Sequence, residues 1–187
     1  GATGAVGSMV VKRLLNERDN SLETLTLLGR RPLLMAVSND KVLQHEIDIL
    51  KPSTFVDFIP GHTTAICTLG VGVPSTMSKE QWLRIDKTAV LDFAHACKNN
   101  GVEHFQILTS VGANSSSKSF YLRVKGELED ALVALSFKRL SIFQPSMIIT
   151  PNNRYGISQA ITLAVWPSLS KVLIGGLKKY RGIDVDV

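Results

Sequence analysis

Glycines at positions 1, 4 and 7, in Gly1-Ala2-Thr3-Gly4-Ala5-Val6-Gly7, constrain this chain more than any other feature. Missing side chains at i, i+3 and i+6 let a backbone turn sharply, approach a phosphate closely and seat the following helix tightly on a sheet. Val6, Val10, Leu14 and Leu15 recur near helical spacing, with Lys12, Arg13, Glu17 and Arg18 elsewhere, and predict a helix running to about Asn16. The start of that helix offers free N–H groups and the positive end of its dipole to an anion. Glycine triplets also occur in ordinary loops, so the turn takes its meaning from the strands and helices around it.

A phosphate-gripping turn of this kind follows a buried strand, and no residue precedes Gly1 here. A parallel sheet without its central strand would expose an apolar seam. The expectation is therefore a fragment, with at least one strand upstream. The stretch Gly182-Ile183-Asp184-Val185-Asp186-Val187 stops in an apolar alternation and reads as cut too.

With 187 residues, 44% hydrophobic and 20% charged, the chain reads as a single globular domain spanning 1–187. No run reaches the roughly 18 apolar residues of a membrane span. Cys67 and Cys97 sit far apart inside apolar runs, without metal-ligand spacing or a disulfide framework. They read as buried thiols of a reducing compartment, and a cytoplasmic location is expected. The net charge of +5 is modest. Lys178-Lys179-Tyr180-Arg181 is its only dense basic cluster and reads as a solvated turn, so no nucleic-acid partner is expected.

Leu25 to Arg31 reads as a short apolar strand closed by Pro32. Where a dinucleotide is bound, an acid at such a strand end hydrogen-bonds the ribose 2′-hydroxyl of NAD, and an arginine accommodates the 2′-phosphate of NADP. Arg30 and Arg31 stand there, with no acid, and favour NADP(H); two arginines can equally cap a strand as solvated charge. Further strands are expected at Val42–Ile47, His62–Gly70 and Phe105–Ser110, and a short helix at Thr54–Ile59. His62 reads as a strand-entry residue, and His95 and His104 as structural or exposed. Ser78 and Gln81 form a capping box that opens a long helix to Asn99, with Trp82, Ile85, Ala89, Phe93, Ala94 and Cys97 as its core stripe. Strands alternating with helices predict an α/β fold with a doubly wound parallel sheet.

Thr109 and Ser110 end a strand with hydroxyls, at the edge where open α/β sheets bind ligands. Tyr121 and Lys125 follow at i and i+4, on one helix face and about 6 Å apart along the axis. Lys125 beside Tyr121 would favour the phenolate, which can exchange a proton with a carbonyl or alcohol oxygen. Ser110, or Thr109 in its place, could hydrogen-bond that oxygen. Tyr-x-x-x-Lys also occurs on plain amphipathic helices; the order of glycine turn, arginine strand end, Gly70, hydroxyl strand end and Tyr-Lys helix gives it weight.

These stretches, with Leu28-Gly29-Arg30-Arg31, Cys67-Thr68-Leu69-Gly70, the segment Phe120 to Glu129 and Phe143-Gln144-Pro145-Ser146, resemble the atypical short-chain dehydrogenase/reductases, and more closely the Tat-interacting-protein-like oxidoreductases. The resemblance spans nearly the whole chain. It implies a three-layer α/β/α Rossmann fold whose first strand is missing from these residues. It implies NADP(H) along Gly1, Thr3, Gly4, Ala5, Val6 and Gly7, with Arg30 and Arg31. Asp48 and Ile49 would lie near the adenine, Thr68, Leu69 and Gly70 near the adenine ribose, and Pro145, Ser146, Met147 and Ile148 over the nicotinamide. Tyr121 would be the acid/base, and Lys125 would grip the nicotinamide ribose. A small carbonyl substrate is implied, and a protein partner or a homodimer is compatible with it. One departure stands out: where many relatives carry a relay asparagine, the nearest counterpart is Asp86. Residues 151–187 form a small substrate-side region, with a polar loop at Asn152–Gly156 and a helix expected at Ile157–Trp166. Against the enzyme reading stands a second, a dinucleotide-binding regulatory protein read by a partner.

Overall fold

The computed structural model describes residues 1–16, 21–36, 39–71, 77–146, 148–149, 175, 178 and 181–184. Helix α1 spans Ala5–Asn16 directly after the glycine turn. Strands β1 (Leu25–Gly29) and β2 (Val42–Glu46) pair in parallel, from Leu25 opposite Val42 to Gly29 opposite Glu46. Strands β3 (Thr64–Cys67), β4 (His104–Leu108) and β5 (Arg139–Phe143) form a second parallel sheet in that order. Short strands β6 (Ile148–Ile149) and β7 (Ile183–Asp184) make a third parallel pair. Parallel neighbours need crossovers. Between β3 and β4 these are α2 (Lys79–Leu83) and α3 (Ala89–Asn99), and between β4 and β5 it is α4 (Phe120–Ala134). The architecture is the parallel α/β arrangement that the alternation predicts.

Several boundaries move. The strand expected at His62–Gly70 is only four residues long, and residues 68–70 leave the sheet as its carboxyl-end loop. The helix expected at Thr54–Ile59 is instead two 3-10 turns, Pro52–Thr54 and Val56–Phe58. The long helix opens with the capping box: Gln81 N donates to Ser78 Oγ at 3.1 Å and Ser78 N to Gln81 Oε1 at 3.1 Å. It does not run unbroken to Asn99, because a π-helical turn, Arg84–Thr88, joins α2 to α3. Asp86 is buried, and Ile85, expected in the core stripe, is only half-buried. Ile157–Trp166, the loop at 152–156 and Met147 lie outside the described residues.

The main core fills the space between the β3–β4–β5 sheet and α3 and α4. Phe55, Val90, Cys97, Phe105, Ile107, Leu128 and Leu132 are all inaccessible or nearly so. Phe105 stacks on Phe137 with ring centres 5.1 Å apart and meets Phe93 at 5.9 Å. A second, smaller cluster of Val11, Leu27 and Ala36 holds α1 to β1. Between β1 and β3 lies a cavity of about 1240 Å³, walled by both strands and by Val90, Phe93 and Cys97. Both cysteines are free thiols, and burial pushes both up, Cys97 to about 12. His62 bridges Thr26 Oγ1 at 2.9 Å and the Ile59 carbonyl at 3.1 Å, a structural role as expected. No described helix is long and apolar enough to cross a membrane.

Candidate active site and dinucleotide face

The glycine turn is held against the end of β3. Gly4 N donates to Gly1 O at 2.9 Å, and Ser8 N to Gly4 O at 3.0 Å. A Cβ on Gly1 would lie 2.3 Å from Thr68 Oγ1, and one on Gly7 would lie 2.2 Å from Gly1 O. Both distances are far inside contact, so the two glycines are fixed by close packing. Gly4 differs: a Cβ there would meet only Gly1 O, at 3.1 Å. The turn thus leads into the start of a 12-residue helix, whose first N–H groups are a donor set that suits a pyrophosphate. Thr3, Gly4, Arg30, Arg31, Ile49, Thr68, Leu69 and Gly70 line one continuous cavity with the turn. Arg30 and Arg31 are exposed, and among the described residues neither has an ion pair. Asp48 is engaged locally: its Oδ1 accepts from Leu50 N at 3.0 Å, and its Oδ2 lies 3.5 Å from Lys51 Nζ.

The hydroxyl strand end and the Tyr-Lys helix meet at one junction. Asn114 N donates to Leu122 O at 3.0 Å, and Ala113 N to Ser110 O at 3.1 Å, which ties the turn after β4 to the first turn of α4. Gly126 makes this possible, since a Cβ there would sit 2.2 Å from backbone atoms of Asn114 and Ser115. Tyr121 is 40% exposed and leans on Trp82, ring centres 5.6 Å apart. Ser110 is half-buried, and its Oγ has only a long 3.5 Å contact with Val111 O. Thr109 is different. Its buried hydroxyl donates to Glu129 Oε1 at 2.5 Å, so it serves the helix joint and is a poor substitute for Ser110. Gln144 Nε2 donates to both oxygens of the same carboxylate, at 3.0 and 2.8 Å. Val111 N donates to Pro145 O at 2.9 Å, and Ser146 Oγ donates to the Arg181 carbonyl.

Lys125 is buried, and its ammonium donates to Asp86 Oδ1 at 2.7 Å. Asp86 Oδ2 accepts from Val71 N at 2.9 Å. A chain of contacts therefore runs from the glycine turn through Thr68 and the 68–71 loop to Asp86, Lys125 and the helix bearing Tyr121. Both carboxylate oxygens of Asp86 are thus engaged, one by an ammonium and one by a backbone amide. Sequence reasoning singled out Asp86 only as a departure. Asp86 lies at i+4 from buried Trp82 and i−4 from buried Val90, but its buried partner Lys125 comes from another helix. Glu129, at i+4 from Lys125, was missed as a site-shaping residue because its partners, Thr109 and Gln144, lie just past the ends of β4 and β5. Gly126, a glycine inside a helix, was the readable signal of close packing.

Residues 1–140 match the model of a family described as NAD(P)H-binding. The chain belongs to this NAD(P)H-binding family. Within it, the chain is 34% identical over 150 residues to Protein HTATIP2 of Rattus norvegicus, covering 80% of this chain and 61% of that protein. It is 33% identical over 187 residues to Protein FMP52, mitochondrial, of Debaryomyces hansenii, covering 99% of this chain and 79% of that one. The solved structure of MoeE5 in complex with UDP-glucuronic acid and NAD superposes with a TM-score of 0.68 at 19% identity, over 88% of this chain and 59% of that one, a likeness of fold. The chain spans about three fifths of the length of the rat relative. The resemblance to short-chain dehydrogenase/reductases holds, and the NAD(P)H-binding domain is of the Rossmann type. The expected cytoplasmic location is overturned, because the fungal relatives carry mitochondrial names.

Proposed function

We propose that this NAD(P)H-binding chain is the core of an NADP(H)-dependent oxidoreductase acting on a small carbonyl or alcohol. When bound, the cofactor supplies or accepts the hydride. In this reading the N–H groups of Thr3 and of residues 5–7 hold the pyrophosphate, Gly4 N being taken by Gly1 O, and Arg30 and Arg31 meet the 2′-phosphate. Ile49 and the 68–70 loop border the adenosine side, and Pro145 to Ile148 the nicotinamide side. Lys125 holds the nicotinamide ribose, Ser110 orients the substrate oxygen, and Tyr121 exchanges its phenolic proton with that oxygen. The observation that carries the reading is the unbroken path of contacts from the glycine turn to the Tyr121 helix through Thr68, Val71, Asp86 and Lys125. It supports a reading in which the glycine turn and the Tyr121 helix serve one cofactor.

The test is NADPH oxidation by the full-length protein over a carbonyl panel. Tyr121→Phe is expected to lose about 10²–10⁴-fold in turnover while binding NADPH like the wild type. Turnover that survives this substitution sinks the assignment. A regulatory protein that binds NADPH and signals to a partner, or through a homodimer, is the second reading. It is favoured by Asp86, a carboxylate with both oxygens engaged that is the nearest counterpart of the relay asparagine of many relatives. Absence of turnover by the wild type across the panel would select it. We also infer a mitochondrial location from the fungal relatives' names, and a further parallel strand in the cavity between β1 and β3.

A further inference from the structure

The π turn Arg84–Thr88 grips α4 with two ion pairs of opposite polarity. Asp86 Oδ1 takes the Lys125 ammonium at 2.7 Å, with the lysine and aspartate side chains only 5% and 3% exposed. One residue later the sign reverses, and Lys87 Nζ reaches Glu127 Oε2 at 2.6 Å near the surface. Sliding α4 by two residues would set Asp86 against Glu127, like against like, so the alternation fixes register. A buried ion pair is a costly way to hold two helices, and apolar packing often does it better. This pair therefore calls for a further role. The second aspartate oxygen gives one: it accepts from Val71 N at 2.9 Å, directly after the 68–70 loop. A Cβ on Gly70 would lie 3.7 Å from Asp86 Oδ1, so the carboxylate also backs that loop. Lys125 has three N–H donors. Asp86 takes one and leaves two for a vicinal pair of ribose hydroxyls.

We propose that Asp86 is a positioning residue for the dinucleotide: one carboxylate sets the Lys125 ammonium and the Gly70–Val71 backbone at a fixed separation, so both meet the cofactor as one unit. The proposal rests on the reading of Lys125 as the ribose-binding group. π turns within α-helices recur at functional sites, and here Asp86 is the buried residue of the turn.

The test is a double-mutant cycle on NADPH affinity in the full-length protein, read by fluorescence titration of folded material. Asp86→Asn keeps an acceptor for Val71 N and removes the charge facing the ammonium. It is expected to weaken NADPH binding about tenfold. In the Lys125→Met background the same change is expected to have no further effect, because Asp86 acts through the lysine. A purely structural role would weaken binding equally in both backgrounds, and that result overturns the proposal. Unchanged affinity in Asp86→Asn, with Lys125→Met impaired, overturns it while leaving the ribose reading intact. Unchanged affinity in Lys125→Met overturns the ribose reading and the proposal with it. Should Asp86→Asn fail to fold, Asp86→Glu retains the charge and displaces the ammonium by one methylene. Weakened NADPH binding by that variant supports the proposal, and wild-type binding overturns it.

Discussion

The carboxyl tips of β1 and of β3, β4 and β5 are finished in opposite ways. At β3, β4 and β5 the tips are latched inward. Val71 N is taken by Asp86, and Thr109 and Gln144 by Glu129, with Lys125 neutralised inside the joint. At β1 the chain ends in Arg30 and Arg31, exposed and without an ion pair among the described residues. The cores beneath differ in the same sense. The larger sheet rests on a cluster that includes Phe55, Phe105, Leu128 and Leu132, and the β1–β2 pair rests on Val11, Leu27 and Ala36. Leu34, Met35 and Leu43 around that pair are exposed. One region thus has its polar groups fixed by the protein itself, which suits side chains that must be aimed. The other presents uncompensated positive charge to whatever anion approaches, which suits recognition of a phosphate.

The largest expected effect tests the difference in cores. Phe105→Ala, at a fully buried ring, should cost about 3–5 kcal/mol, whereas Leu27→Ala in the smaller cluster on β1 should fall near about 2 kcal/mol. Urea unfolding of both variants measures this, and equal losses would mean that the two halves are equally well packed. Gly126→Ala should cost about 1–3 kcal/mol in the same assay, because the new methyl meets backbone that cannot yield. If it is neutral, the joint between α4 and the 114–115 turn is looser than its geometry indicates. Arg30→Ala/Arg31→Ala should leave stability within about 0.5 kcal/mol, yet weaken NADPH relative to NADH by about tenfold. An unchanged preference would place the 2′-phosphate elsewhere. The smallest effect is expected for Lys87→Gln: its pair with Glu127 is about one-third exposed on each side, so the loss should stay under about 1 kcal/mol. A larger loss in thermal or urea unfolding would show that the outer pair, and not Asp86–Lys125 alone, holds the π turn on α4.

Elements governed by local rules were legible. The glycine turn and α1, the capping box at Ser78, and the strands around Leu27 and Phe105 follow from near-neighbour geometry and apolar patterning. Lengths were less legible. The run His62–Gly70 gives no internal stop signal, and only the packing of Thr68 against Gly1 and Gly7 shows where the strand gives way to loop. Thr109 and Ser110 are adjacent hydroxyls with the same chemistry on paper, yet Glu129 claims one and leaves the other half-buried with a single long contact. Residue spacing carries no information about a partner twenty positions away.

By itself the sequence determined the parallel α/β class, the glycine turn before α1 and the i, i+4 placement of Tyr121 and Lys125 on one helix, because each is a property of short stretches with a fixed period. Only the tertiary structure decided that Lys125 is held by Asp86. That bond requires a helix from a separate crossover to meet the π turn, and a buried setting in which an ammonium and a carboxylate must find each other. Long-range electrostatics in a dry interior depends on what the fold brings together.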